Sequence, residues 1–347
     1  MNVWILPISG GQFVNQCASI ISLLENENKP DIMFGSSGGN LTAYITMAGD
    51  WTPNGIIRLC ENISSSLIFK SWSNLDVIGF LKGFFSGNLY KNGPGIYTFI
   101  KKYFTEKTIK DVEIWTGCFD KEENKSKFFC NRNKKDCYIQ IKNEINNIYQ
   151  YLEPVYANGN IELISDYIVA SASVPVIVNE KKVLCKKYVD GGLGGASPFT
   201  HLYPILYDKI EKEKKSLHLT YINCMNLDSK PNNEGFNLIG NWKNITACLT
   251  RQLIVQERAK AYDFLGNNVK YYQLDLTKEN LENIDFVKTL IEKSLLEIYP
   301  KNDNTINYQE FIGKDVIEGI NSCFGQLGIR FWWKSCKNNK KIYNILN

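Results

Sequence analysis

The chain has 347 residues, 44% of them hydrophobic and 13% aromatic, enough to bury a sizeable core in one large domain or two smaller ones. Its net charge is only +4, and its lysines interleave with acids, as in Lys209-Ile210-Glu211-Lys212-Glu213-Lys214-Lys215. That balance excludes nucleic acid as a partner and marks the run as a solvated helix face. Ten cysteines are scattered with no C-x-x-C pair, which fits reduced buried thiols. With His201 and His218 as the imidazoles, no zinc motif is spelled out, so no metal and no cofactor is expected.

The N-terminus Met1-Asn2-Val3-Trp4-Ile5-Leu6-Pro7 lacks a basic leader segment and runs directly into Ser9-Gly10-Gly11, so it reads as a first strand rather than a signal peptide. The longest apolar stretch, Ile161 to Val178, carries Glu162, Asp166 and several serines and is too polar to span a bilayer. The expected location is the cytoplasm, with peripheral contact at membranes.

In chain order, the pattern predicts a strand near Val3–Ile8, a glycine turn, and a helix from about Gln16 to Leu24 with Ala18, Ile21 and Leu24 on one face. A short strand, Ile32–Phe34, and an apolar helix after Ser37 follow. Strand, turn, helix, repeated within fifty residues, is the signature of βαβ units and a mainly parallel sheet, with ligands expected at the carboxyl ends of the strands. Residues 51 to 105 are rich in aromatics, Gly and Ser and include Ile78-Gly79-Phe80-Leu81-Lys82-Gly83-Phe84-Phe85; they read either as a lid or acyl-chain groove or as an ordinary core helix pair. Val112–Asp120 reads as a buried strand, with Lys127–Cys130 as its hairpin partner across a polar turn. An exposed polar linker is expected from Cys130 to Asn147. Leu217–Asn223 and Val269–Leu276 read as strands separated by a helix over Leu249–Leu265.

Two runs carry chemistry. In Gly35-Ser36-Ser37-Gly38-Gly39 the pattern Gly-x-Ser-x-Gly places Ser37 between a strand and a helix, where the turn is too sharp for a side chain at either flanking glycine. Ser37 is the candidate nucleophile; the alternative is a plain tight turn. The helix that follows would place its first N–H groups, that of Gly38 among them, beside the hydroxyl. In Tyr188-Val189-Asp190-Gly191-Gly192, Asp190 ends a strand before a glycine cluster that can turn its carboxylate back toward a neighbouring strand, where it can accept a proton. The alternative there is a carboxylate that caps its own backbone. A Ser-acid-His triad drawing on His218 is nominally in order. His218, however, falls within a strand and His201 in a loop past Pro198, which leaves a carboxylate base as the economical choice.

Three separated motifs in order, Ser9-Gly10-Gly11, Gly35-Ser36-Ser37-Gly38-Gly39 and Asp190-Gly191-Gly192, resemble the patatin-like phospholipase family. The Ala170-Ser171-Ala172-Ser173-Val174-Pro175 turn ahead of the aspartate resembles it as well. The resemblance covers roughly residues 1–225 and implies a catalytic core there with a three-layer α/β sandwich, mainly parallel; residues 51–105 are expected as a lid or groove insertion in it, and residues 226–347, which the resemblance leaves unassigned, as a C-terminal helical and strand extension packed on the same domain. It implies a calcium-independent lipid acyl hydrolase acting on phospholipids or other acyl esters. Ser37 is then the nucleophile, Asp190 the general base, and the N–H groups of Gly10, Gly11 and Gly38 the oxyanion hole. The family's glycine loop usually carries an arginine where Phe13 stands here, so a non-catalytic, lipid-binding member is the alternative. Arg330-Phe331-Trp332-Trp333-Lys334, with Lys337, Lys340 and Lys341 beyond it, combines interfacial aromatics with cations and is a candidate membrane contact; docking of the same aromatics into the core is the other reading.

Overall fold

The computed structural model describes residues 1–9, 13–24, 29–62, 69–70, 91–92, 95–105, 109–140, 154–175, 178–213, 215–223, 248–257, 259–261 and 269–273. The predicted Ile78–Phe85 and Arg330–Lys334 segments lie outside them.

The elements alternate as the periodicity predicts. Strand β1 (Asn2–Leu6) leads to helix α1 (Phe13–Leu24), β2 (Ile32–Ser36) to α2 (Gly38–Ala48), and α3 (Pro53–Glu61) follows. Proline at the first position of α3 and the Thr52 hydroxyl, which accepts from Gly55 N–H at 3.1 Å, give that helix a defined start. A small antiparallel pair, β3 (Phe69–Lys70) with β4 (Lys91–Asn92), and helix α4 (Gly95–Tyr103) complete the described part of the 51–105 segment. Then come β5 (Glu113–Asp120), its hairpin partner β6 (Lys125–Cys130), the short β7 (Val155–Tyr156), α5 (Ile161–Ser171), the hairpin β8 (Lys181–Val183) and β9 (Lys186–Asp190), α6 (Phe199–Glu213), β10 (His218–Asn223) and β11 (Val269–Gln273). Residues 248–257 and 259–261 are helical.

Among the described residues the main sheet has nine strands, ordered β11-β10-β1-β2-β5-β6-β7, with β9 also paired to β5 and β8 to β9. The five strands from β11 to β5 run parallel. The β5–β6, β5–β9 and β8–β9 pairs are antiparallel. This is the mixed, mainly parallel sheet of a three-layer α/β sandwich.

Strict alternation along the strands feeds two cores. Trp4, Leu6, Met33, Ile114 and Phe129 face helices α1 to α5, while Val3, Ile5, Ile32, Phe34, Trp115 and Phe128 face α6 and the helical residues 248–257 and 259–261. Both faces are covered, so β1 reads as an unbroken apolar run, as a central parallel strand must.

Two expectations change. The stretch expected to be an exposed linker from Cys130 packs against the sheet instead: Asn131, Cys137 and Ile139 are buried and a 3-10 turn spans Lys134–Asp136, so the linker reading fails over residues 131–140. Polar composition misled there because Asn131 is consumed internally. Its amide donates to the carbonyls of Ile109 and Val112 at 2.6 and 2.8 Å and its carbonyl accepts from Ile114 N–H at 2.8 Å. His201 likewise sits inside α6, not in a loop.

Candidate active site

Ser37 stands where β2 ends and α2 begins, with φ 54° and ψ −129°. A non-glycine residue at positive φ stores about 1–3 kcal/mol and persists only where its surroundings hold it. Gly39 shows why the elbow is glycine-flanked: a Cβ there would lie 2.2 Å from the Leu6 carbonyl oxygen and 2.4 Å from that of Pro7, so α2 packs directly on the end of β1. Ser171, at the end of α5, holds the elbow from the other side. Its hydroxyl accepts from Ser37 N–H at 2.9 Å and donates to the Gly117 carbonyl at 2.7 Å, with all three groups buried. Thr116 Oγ1 donates to the buried Asn40 Oδ1 at 2.7 Å and so fixes the first turn of α2 to β5.

Asp190 reaches Ser37 through strand pairing. Strand β2 runs parallel to β5 and pairs Ser36 with Gly117; β9 runs antiparallel to β5 and pairs Asp190 with Cys118. The two strands therefore approach along β5 from opposite directions, and their carboxyl ends meet at consecutive β5 residues, about 3.4 Å apart along the strand. The Ser173 carbonyl accepts from Asp190 N–H at 2.9 Å, and Ser173 Oγ donates to the Val169 carbonyl at 2.7 Å, so the end of α5 positions the aspartate as well as the serine.

One oxygen of Asp190 caps its own backbone, as one of the two alternatives expected, and the other is left open. Oδ1 accepts from Gly192 N–H at 2.7 Å, capping the 3-10 turn Gly191–Leu193. Oδ2 is buried and closes no hydrogen bond of full geometry, while the Ser37 hydroxyl acts on the carboxyl as a hydrogen-bonding neighbour. Adjacent and open is the expected resting arrangement, since such contacts tighten when substrate arrives. Burial pushes the Asp190 carboxyl up to about 6, against the smaller downward pull of Ser37 and of Gly192 N–H.

The glycine loop is described only at its edge. Ser9 is buried after β1, Gly10 and Gly11 lie outside the described residues, and Ile8 N–H donates to the Ala196 carbonyl at 2.8 Å, joining the exit of β1 to the loop after Asp190. Phe13 is buried in the core beneath α1 and supplies no charge. A buried glutamine ties the exit of β1 to β10 and α2. Gln16 Nε2 donates to the Pro7 and Ile222 carbonyls at 2.9 and 3.3 Å, and its Oε1 accepts from Thr42 Oγ1 at 3.1 Å. At the start of α2, the Asn40 and Leu41 N–H groups already bond the Ser37 carbonyl, so the Gly38 and Gly39 N–H groups precede the first intrahelical acceptor.

Neither histidine joins the pair. His218 opens β10, opposite Asn2 at the amino-terminal edge of the sheet, whereas Ser37 lies at the carboxyl edge. His201 Nε2 contacts the Gly194 carbonyl at 2.9 Å, its ring lies against Phe128, and burial lowers its pKa.

Sequence reasoning missed the buried polar residues Gln16, Asn40 and Glu257, and it gave Ser171 and Ser173 only as part of the turn ahead of the aspartate, without a role. Glu257 accepts from Ser197 N–H and Oγ at 3.1 and 2.9 Å, from Thr200 N–H at 3.1 Å and hydroxyl, and from Tyr221 Oη at 3.0 Å, and so ties the helical residues 248–257 to the start of α6. The available signal was a polar residue on an otherwise apolar helix face, as at Ser171 and Gln16.

The family model for patatin-like phospholipases matches residues 13–203, more than half of the chain. That span contains Ser37 and Asp190 and begins after the glycine loop. A comparison with curated proteins finds no match.

Proposed function

The chain belongs to the patatin-like phospholipase family, a family of lipid acyl hydrolases, and from that premise we propose that it cleaves fatty-acyl esters with a Ser37–Asp190 dyad. The observation that carries the proposal is the meeting of β2 and β9 at Gly117 and Cys118, which sets the strained serine beside a buried carboxylate.

Asp190 Oδ2 accepts the Ser37 proton as the hydroxyl oxygen attacks the ester carbonyl. The tetrahedral oxyanion is held by the N–H groups of Gly10, Gly11 and Gly38; one such donor contributes about 3 kcal/mol of transition-state stabilisation. Collapse expels the alcohol or lysolipid, which takes the proton from Asp190. Water then attacks the acyl-enzyme, with Asp190 again accepting the proton, and the fatty acid leaves as Ser37 is restored. Every proton and charge is handled by these groups, so the sequence of steps calls for no calcium ion. The Gln16 clamp on Pro7 supports a braced glycine loop without the family's arginine.

We assign residues 1–225 to the catalytic core and 226–347 to an extension packed on the same domain; that packing is supported by β11 pairing with β10 and by Glu257 bonding Ser197 and Thr200. No described helix is long and apolar enough to cross a membrane. Access to lipid is through peripheral contact, for which Arg330-Phe331-Trp332-Trp333-Lys334 is the proposed surface.

A fluorophosphonate probe tests the reading. Wild-type protein labels at Ser37 and releases fatty acid from phospholipid vesicles, and Ser37→Ala does neither while keeping its circular dichroism. Folded wild-type protein that takes no label and still sediments with vesicles would instead establish the non-catalytic lipid-binding alternative.

A further inference from the structure

A second cluster of reactive side chains lies on the opposite side of the sheet from the helices that hold Ser37. Glu113 begins β5, Cys130 ends β6, and Cys137 follows the 3-10 turn Lys134–Asp136. Their ligand atoms all lie within 4.8 Å of one another, and all three residues are buried. The two sulfurs are 3.3 Å apart. A disulfide requires about 2.05 Å between sulfurs. Two thiolates on one tetrahedral zinc, each bonded at about 2.3 Å, sit about 3.8 Å apart. The observed separation is much nearer the second value.

The carboxylate is prepared as a ligand is prepared. Glu113 Oε1 accepts from Trp115 Nε1 at 2.6 Å and from Ile139 N–H at 3.2 Å, and Oε2 accepts from Tyr138 N–H. A carboxylate offers about four acceptor positions, so one remains after these three donors. The donors fix its orientation as outer-shell partners do around metal ligands. The Cys137 thiol donates to the Asn133 carbonyl at 3.0 Å, which holds that sulfur in place. Two thiolates and a carboxylate around a divalent ion leave one negative charge, and Arg132, whose guanidinium acts on Glu113, offsets it.

We propose that Glu113, Cys130 and Cys137 bind one zinc-class divalent cation, which pins residues 131–140 to the ends of β5 and β6. Binding is an exchange without redox chemistry: two S–H bonds break, two metal–sulfur bonds form, and two protons leave to solvent. Because both thiols must give up their protons to bind, affinity rises with pH. Sequence spacing hid the site because Cys130 and Cys137 are six residues apart in the intervening chain and the third ligand lies on another strand.

The test uses the full chain, reduced, loaded with zinc chloride, desalted and assayed for metal by mass spectrometry. A single retained zinc ion per chain is expected. With cobalt(II) as the probe, the protein should show a thiolate charge-transfer band. Cys130→Ser with Cys137→Ser loses both signals, whereas Cys185→Ser with Cys248→Ser, at exposed thiols, keeps them. Trp115→Phe removes one N–H from Glu113 but no ligand, and weakens zinc binding about 10- to 100-fold. Wild-type protein that retains no zinc overturns the proposal, whatever the variants do. So does retention that survives loss of both cysteines, or a Cys130–Cys137 disulfide in the isolated protein, detected as a mass lower by two hydrogens.

Discussion

Ser171→Ala isolates the device that holds the proposed nucleophile, Ser37. Its hydroxyl accepts from Ser37 N–H at 2.9 Å and donates to the Gly117 carbonyl at 2.7 Å in a buried setting, so its removal orphans one donor and one acceptor. Each orphaned group costs about 1–3 kcal/mol. The elbow can recover part of this by relaxing out of its positive φ, which returns about 1–3 kcal/mol. The net expectation is a loss of about 2–3 kcal/mol in unfolding free energy, read by urea titration of tryptophan fluorescence. Relaxation also displaces the Ser37 hydroxyl, and a shift of about 1 Å at a reacting group costs about 100-fold in rate. Hydrolysis of a short-chain chromogenic ester should therefore fall about 10- to 100-fold, mostly in kcat. Ser165→Ala is the control. It lies in the same helix and is equally buried, but its hydroxyl bonds only its own helix, to the Ile161 carbonyl at 2.6 Å, and its loss costs at most about 1 kcal/mol with turnover preserved. If Ser171→Ala matches the control in stability and rate, the elbow does not depend on this bridge.

Three further outcomes are expected. Ser37→Gly and Ser37→Ala both lose turnover, but the glycine variant is more stable than the alanine variant by about 1 kcal/mol in urea unfolding, because only glycine adopts φ 54° without strain. Equal stability of the two would remove the strain argument. Turnover rises with pH through about 6, as Asp190 must be ionised to accept the proton, and Asp190→Asn abolishes both turnover and that profile. Stability moves the other way. The folded state binds Asp190's proton more tightly than the unfolded chain, where the carboxyl has its ordinary value of 3.8, so stability is full below that value and is lost as pH rises to about 6, by about 3 kcal/mol. Glu257, pushed up by burial to about 7, adds a loss of the same sign between about 4.5 and 7. Urea midpoints that rise across pH 4 to 7 would contradict both assignments. Gln16→Leu orphans the Pro7 and Ile222 carbonyls, should cost about 2–4 kcal/mol, and should slow turnover through the loosened glycine loop; an unchanged urea midpoint would show that the clamp is dispensable.

Much of this was legible in the chain itself. Val3 to Leu6 and Ile32 to Phe34 read as buried strands because both faces of those strands are covered, and the glycines around Ser37 read as an elbow because a Cβ at Gly39 has nowhere to go. Asp190 could be nominated from its strand-end position before Gly191 and Gly192, but not its distance from Ser37. Local patterns carry φ/ψ preference and facing; they carry no information on which strand pairs with which. That Ser36 and Asp190 pair with consecutive residues of β5, approaching from opposite ends, follows from non-local pairing of elements about seventy to eighty residues apart. For the same reason Gln16 and Glu257 looked like stray polar residues, Ser171 like one member of a turn, and Cys130 and Cys137 like part of a linker. Their roles exist only once the sheet has brought Gly117, Pro7, Ser197 and Glu113 beside them. The sequence determined the strands, the helices and the strained serine; the tertiary structure decided what that serine faces, because proximity across a sheet is set by pairing and packing rather than by any run of residues.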